Sequence, residues 1–346
     1  MIPLSYAQQR LWLLTQIDGA SSAYNIAVAM RLQGRLSRQA LHAALGDVVR
    51  RHEVLRTVLP ADDGQPRQHI IPADEVILPL AEQDCPPCRI DQEIAALADV
   101  PFDLARDLPL RARLLTTGPG DHVLVLVLHH VAADGGSLVP LCADLGNAYA
   151  ARAGDKSPDW PEPPVQYSDY TLWQRELLGS ESDPGSLISR QLRYWTQALD
   201  GLPVELDLPR DRPRPARFCG PEDAVGLEGR IAGSAGDTVH FEIGAATHAG
   251  LTAIARQCQS TLFMVAQAAV ATLLTRLGAG HDIPLGSPVA GRDEEVLENL
   301  VGFFVNTLVL RTDTSGDPRF TELVERVRAA DLAAYASSDV PFDCVV

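Results

Sequence analysis

Residues 122–130 constrain this chain more than any other stretch, reading His-Val-Leu-Val-Leu-Val-Leu-His-His. An unbroken aliphatic run of that length predicts a strand covered on both faces. Such a strand needs neighbours at its edges and helices above or below it, so it points to layered α/β structure. Val131-Ala132-Ala133-Asp134-Gly135-Gly136 then reads as a turn. Leu138, Leu141, Leu145 and Tyr149 share one side of a helix that starts at Ser137. A buried strand thus delivers two histidines and a carboxylate to a turn in front of a helix.

The flanking sequence supplies partners for that strand. Residues 108–116 predict a preceding strand that turns through Gly118-Pro119-Gly120-Asp121, and 24–32 an earlier one. Ser5 and Ser37 are N-cap candidates. After Ser37, Leu41, Ala44, Leu45, Val48 and Val49 recur at helical spacing. Val54, Leu55, Val58 and Leu59 lead toward a strand that returns through Asp63-Gly64 as 68–71, and 92–98 predicts a short helix. Residues 154–164, rich in proline and charge, read as a linker or an exposed crossover. Beyond it, helices are expected at 169–178, 187–199, 245–257, 261–277 and 320–335, and strands at 238–243, 283–289 and 307–311. The stretch 202–215, with Pro203, Pro209, Pro213 and Pro215, should be extended. Strands and helices alternate in both halves. Val100-Pro101-Phe102-Asp103 is echoed by Val340-Pro341-Phe342-Asp343, as two related lobes would explain.

A formal net charge of −16 makes nucleic acid and anionic membranes poor partners. No apolar run reaches the length of a membrane span, and the N-terminus lacks the pattern of a signal peptide. A cytoplasmic setting is therefore expected, with Cys85, Cys88, Cys142, Cys219, Cys258 and Cys344 reduced. Cys85 and Cys88 form a CxxC beside Pro86 and Pro87, but no second pair follows, so no metal site is expected.

Adjacent strand residues point to opposite faces, so His129 and His130 cannot share one role: one should face a cavity, the other the packed interior. Asp134 can pair with a cation or orient the turn. Gly135 and Gly136 permit close backbone approach near a helix start, where developing negative charge is stabilised. A bare histidine pair would read as a polar strand end, whereas the Asp-Gly at this offset favours a functional site.

His129-His130-Val131-Ala132-Ala133-Asp134-Gly135 resembles the HHxxxDG signature of condensation domains of non-ribosomal peptide synthetases, within the chloramphenicol acetyltransferase-like superfamily. Further motifs follow the family's order. Ser5-Tyr6-Ala7-Gln8-Gln9-Arg10-Leu11-Trp12 resembles the first, Arg51-His52-Glu53-Val54-Leu55-Arg56-Thr57 the second and Tyr167-Ser168-Asp169-Tyr170-Thr171-Leu172-Trp173 the fourth. Val301-Gly302-Phe303-Phe304-Val305-Asn306-Thr307 with Arg311 resembles the fifth, and Ser338-Asp339-Val340-Pro341-Phe342-Asp343 the sixth. Taken alone, Trp12, Trp173 and Phe303 read as core aromatics, and Arg51 and Arg56 as solvated charges. Two departures stand out. Gly136 occupies a position that is often Trp in the family, which removes a wall beside the turn. The sequence also reaches Val346 shortly after the sixth motif, where the family continues, so the second lobe is expected to be incomplete.

The resemblance implies an α/β fold of two chloramphenicol acetyltransferase-like lobes in a V-shaped pseudo-dimer, 1–175 and 176–346, with the site between them. It implies an acyltransferase that joins a donor acyl or peptidyl thioester to the α-amine of an acceptor aminoacyl thioester. No cofactor is expected to bind directly; phosphopantetheine arms arrive on upstream and downstream peptidyl carrier proteins, beside an adenylation domain. His130 and Gly135 are the candidate catalytic residues, His130 as base or positioning group and the Gly135 N–H as oxyanion donor. His129 and Asp134 are expected to be structural, with Arg51 or Arg56 pairing Asp134. Asn306, Gly136 and Ser137 are assigned to the substrate channel. The segments around the third and fourth motifs resemble the subtype that takes a D-configured donor and an L-acceptor. An epimerisation domain, a starter condensation domain and a silent module that recruits carriers or tailoring enzymes stay open. The two histidines, where a heterocyclisation domain has aspartates, argue against that relative.

Overall fold

The aliphatic run lies inside a four-stranded sheet. The computed structural model describes residues 2–19, 21–203, 205–209 and 239–345. Its elements, in chain order, are β1 (Ile2–Pro3), α1 (Tyr6–Asp18), β2 (Asn25–Gln33), α2 (Arg38–Arg51), β3 (Thr57–Val58), β4 (Ala61–Asp62), β5 (Gln65–Ile70) and β6 (Leu80–Asp84). There follow α3 (Ile90–Ala98), β7 (Leu110–Gly118), β8 (Asp121–His129), α4 (Leu138–Ala153), α5 (Tyr167–Leu178) and α6 (Leu187–Ala198). The last are α7 (Ala245–Gln257), α8 (Leu262–Arg276), β9 (Asp282–Val289), β10 (Asn306–Asp313) and α9 (Phe320–Tyr335).

The main sheet has the order β2-β8-β7-β6. Leu128 of β8 stands opposite Ile26 on one antiparallel neighbour and Leu110 on the other. From His122 to His129 every β8 residue is buried, because α2 and α4 pack with the sheet into the largest apolar cluster. The helices start where their caps dictate. Ser5 and Gln8 form a reciprocal capping box on α1, and the Ser37 hydroxyl accepts the Ala40 N–H of α2.

The largest cluster also takes in Leu297, Leu300, Val301, Phe303 and Phe304, a segment that precedes β10. Among the described residues the second half holds further clusters, two of which pack its helices. One joins α7, α8 and α9 through Ala255, Met264, Val265, Leu323 and Val324. The other packs Ile188 and Trp195 of α6 against Leu308 and Leu310 of β10. Helix α5 bridges them, giving Tyr167 and Tyr170 to the first cluster and Leu178 to this last one.

The expected strand at 238–243 is a correction. Thr238 lies outside the described residues, 239–243 form no strand, and Val239, Phe241 and Ile243 are exposed. Alternation alone cannot hold a strand; a partner must take its backbone hydrogen bonds. Strand β6, parallel to β7, escaped the periodicity reading because Leu80-Ala81-Glu82-Gln83-Asp84 is too polar to signal one. Of the proline-rich stretch, 202–203 and 205–209 are irregular, while Pro213, Pro215 and the nearby Cys219 lie outside the described residues. Cys85 is buried, Cys88 exposed, and both are free thiols. Among the described residues no helix is by itself long and apolar enough to cross a membrane.

Candidate active site

Strand β8 ends with its two histidines in different surroundings. His129 is 1% exposed, between the rings of Tyr24 and Phe102 at 6.4 and 5.8 Å. Its Nδ1 accepts the Val131 N–H at 3.2 Å, so the neutral ring carries its proton on Nε2. Burial, then the neighbouring His130 and Arg111, push its pKa down to about 4. His130 is only partly buried. Its ring centroid lies 4.6 Å from that of Phe303, and its Nδ1 is buried with no hydrogen-bond partner among the described residues.

Asp134 is almost wholly enclosed, at 1% exposure, and ties the motif to a distant part of the chain. One carboxylate oxygen accepts the Ser137 N–H (2.9 Å), the Ser137 hydroxyl (2.8 Å) and the Arg292 guanidinium (2.7 Å). The other accepts the Phe304 N–H at 3.1 Å. Ser137 Oγ lies 2.8 Å from the Gly302 carbonyl and 3.1 Å from the Gly302 nitrogen. Arg292 also donates to the carbonyls of Leu297 and Leu300, both at 2.6 Å. A buried carboxylate must be compensated, and here a cation and three N–H or O–H donors do so.

That cation corrects the expectation that Arg51 or Arg56 would pair Asp134. Arg51 closes α2 and meets Asp144 on α4 at 2.8 Å, a carboxylate it shares with His52 Nε2, also at 2.8 Å. Its guanidinium lies over Trp160, 4.8 Å from the ring centroid. Arg56 holds the Ile71 carbonyl at 2.6 Å and Glu53 at 3.3 Å. Arg51 is thus engaged by Asp144 near the middle of α4 and Arg56 by Ile71 and Glu53, and the partner of Asp134 is neither of them. Arg292 was missed: a lone arginine after a Gly carries no signal in the sequence. Gly291 has φ +63, and a Cβ there would overlap the Phe304 carbonyl, so only glycine lets this loop approach.

The three residues assigned to a channel diverge. Ser137 is fully buried, an internal link rather than a surface. Gly136 is exposed, and a Cβ added to it would meet Arg292 Nε at 2.9 Å. The space a larger residue would take is therefore filled by Arg292, which corrects the view of a missing wall. Asn306 lines a cavity of about 480 Å³ together with Tyr6, Arg10, Trp173, Phe303 and Phe342; His130 is not among the lining residues. Gly135 is exposed and opens a short 3-10 turn, Gly135–Ser137, in which Asp134 caps the Ser137 N–H and leaves that of Gly135 free of the cap.

Asn306 also has a counterpart. Its Nδ2 donates to the carbonyls of Ser338 and Val340 at 2.9 and 2.7 Å. Asn25 Nδ2 donates to those of Ala98 and Val100 at 2.7 and 2.8 Å. Each asparagine opens a strand, and each valine begins Val-Pro-Phe-Asp.

Chemically, the arrangement holds one neutral imidazole inside, one imidazole partly open to solvent, and a backbone N–H at a turn locked by a buried ion pair. It suits proton transfer beside a developing oxyanion.

A family model for the condensation domain matches residues 1–346. A probable non-canonical nonribosomal peptide synthetase of Salinispora arenicola, CymA, is 52% identical over 349 residues, covering 100% of this chain and 4% of that protein. A dimodular nonribosomal peptide synthase of Bacillus subtilis is 49% identical, covering 100% of this chain and 14% of its own length. The chain thus spans a small part of these relatives. The crystal structure of the X-domain from teicoplanin biosynthesis is 35% identical, with a TM-score of 0.87 over 99% of this chain and 72% of its own. That X-domain is also known in complex with OxyB. The first condensation domain of the CDA synthetase, 21% identical with a TM-score of 0.75, shares the fold.

Proposed function

The chain belongs to the condensation-domain family, whose members in non-ribosomal peptide synthetases are acyltransferases that form peptide bonds, and we propose that it joins a donor acyl or peptidyl thioester to the α-amine of an acceptor aminoacyl thioester. Both substrates would ride on phosphopantetheine arms of carrier proteins in a multidomain synthetase. The observation that carries the reading is His130: of the two motif histidines it alone is partly open, while His129 is sealed in neutral form.

In this reaction the amine nitrogen attacks the thioester carbon, a C–N bond forms and the C–S bond breaks. A free α-amine has a pKa of about 8 and is partly unprotonated at neutral pH. As the tetrahedral adduct forms, its nitrogen becomes acidic. His130 accepts that proton, or holds the amine in line, and the proton ends on the departing thiolate. The Gly135 N–H, which Asp134 leaves uncapped, is the candidate donor to the oxyanion.

The proposed architecture is a pair of related lobes, 1–175 and 176–346, in a V shape. The matched anchoring of Val-Pro-Phe-Asp by Asn25 and by Asn306 supports a duplication.

The test is single-turnover condensation on a loaded acceptor carrier, with L- and D-configured donors, read by mass spectrometry of the product. The family subtype suggests a D-donor with an L-acceptor. His130→Ala should lower the rate at least about tenfold with carrier affinity nearly unchanged. Parent-like rates for His130→Ala with every donor would leave a second reading, favoured by the likeness to an X-domain known with OxyB: a module that recruits a partner enzyme.

A further inference from the structure

We infer that Phe303 is the positioning residue of the site, holding the His130 imidazole in its working orientation by ring contact where a hydrogen bond ordinarily does so. This rests on His130 being the reactive group.

A histidine that moves protons or binds a metal is normally oriented through its second ring nitrogen, by a carboxylate, a carbonyl or a water. Here Asp134, the nearest carboxylate in sequence, is saturated by Arg292, Ser137 and Phe304. The Nδ1 of His130 is buried and no protein group among the described residues reaches it. The ring packs against Phe303, at a centroid separation of 4.6 Å and an interplanar angle of 57°, within the range of favourable aromatic pairs.

Phe303 is itself held with unusual thoroughness. Three consecutive residues are tied through their backbones to side chains of the first half. Gly302 donates its N–H to Ser137 Oγ at 3.1 Å, and its carbonyl oxygen lies 2.8 Å from the same atom. The Phe303 carbonyl accepts the Tyr167 hydroxyl at 2.5 Å, and that hydroxyl lies 2.8 Å from Ser5 Oγ. The Phe304 N–H donates to Asp134. A Cβ at Gly302 would overlap the Tyr167 ring, so the segment lies directly on it. Tyr167 is fully buried. The Asp-Gly motif therefore reaches His130 by a second route besides the covalent turn: Asp134 and Tyr167 fix the backbone of 302–304, and that backbone aims the Phe303 ring. Phe303 also lines the 480 Å³ cavity that His130 does not, so the same residue meets both the imidazole and the cavity.

The experiment compares Phe303→Met, similar in volume but without a ring plane, with Phe303→Tyr, which keeps the ring and can send its hydroxyl into the cavity. In the full synthetase module, Phe303→Met should lower the maximal single-turnover rate about tenfold while half-saturation by acceptor stays within twofold; Phe303→Tyr should stay within about threefold of the parent. A parent-like rate for Phe303→Met, a loss carried wholly by weaker half-saturation, or a Tyr variant as slow as the Met variant overturns the inference. Should Phe303→Met not fold, Tyr167→Phe tests the same chain by releasing the Phe303 carbonyl, together with the Ser5 hydroxyl, with a several-fold loss of rate expected and no loss refuting it. An independent readout is the ¹⁵N spectrum of the His130 ring. Its signals should shift or broaden in Phe303→Met and not in Phe303→Tyr. Unchanged signals in Phe303→Met sink the inference even if the parent proves inactive, an outcome that would count against the proposed reaction alone.

Discussion

Arg292 lies 158 residues beyond Asp134, yet its guanidinium meets that carboxylate at 2.7 Å, with the two side chains 9% and 2% exposed. With the bonds of Asp134 to the Phe304 N–H and of Ser137 to Gly302, the pair ties the HHxxxDG turn to the 297–304 segment in the first-half core. Arg292 additionally lies over Phe304, 4.1 Å from the ring centroid, so its flat cation fills a place that a lysine would fill poorly.

Arg292→Ala should therefore cost about 3–5 kcal/mol of unfolding free energy, because it strands a buried carboxylate. Arg292→Lys should recover less than half, since the fork to Leu297, Leu300, Asp134 and Ser137 is lost. Urea unfolding measures both; parent-like midpoints would show that the pair is dispensable. Asp134→Asn should lower stability together with activity, and a variant that melts like the parent yet is inactive would argue for direct chemistry at Asp134.

Gly136→Ala is expected to destabilise by about 1–3 kcal/mol, the usual range for overpacking, because its Cβ would sit 2.9 Å from Arg292 Nε and 3.5 Å from Cδ. In the Arg292→Ala background the same substitution should be nearly neutral. A double-mutant cycle checks this, and additive effects would contradict it.

His129 makes stability fall in mild acid. Its folded pKa, about 4, lies below the ordinary value of 6.5, so the unfolded chain binds the extra proton first. Stability is full above about pH 6.5 and declines as pH drops toward 4, by roughly 3 kcal/mol at about 1.4 kcal/mol per pH unit. His129→Asn, whose Oδ1 can still accept the Val131 N–H, should flatten that slope in denaturation curves taken between pH 7 and 4.5. An unchanged slope would assign the acid sensitivity elsewhere.

Asp331 shows the opposite sign. It is fully buried on α9, accepts from Gln267 at 3.0 Å, and has one carboxylate oxygen without a hydrogen-bond partner among the described residues. Burial raises its pKa, so the folded state holds the proton longer and stability falls as pH rises from the ordinary carboxylate value through the raised one. Asp331→Asn should be neutral or stabilising at pH 7 and lose any advantage near pH 4. Thermal unfolding at the two pH values decides it; destabilisation at pH 7 would mean the charge is needed.

Periodicity and caps determined most of the elements by themselves. The Val-Leu run of β8 could satisfy its side chains only inside a sheet, and Ser5, Ser37 and Thr261 stop their helices at the N-terminus by local hydrogen bonds. The histidines' opposite environments also follow from the pleat, a property of two adjacent residues. Tertiary structure decided what the local sequence leaves open. Val239-His240-Phe241-Glu242-Ile243 has a strand's alternation but pairs with no strand among the described residues. The cation for Asp134 was chosen by which loop folds back over the turn, and glycines at 136, 291 and 302 permit that approach without announcing it. The pairing of Asp134 with Arg292 and the anchoring of 302–304 join residues more than a hundred positions apart, and one-dimensional spacing carries no record of those distances.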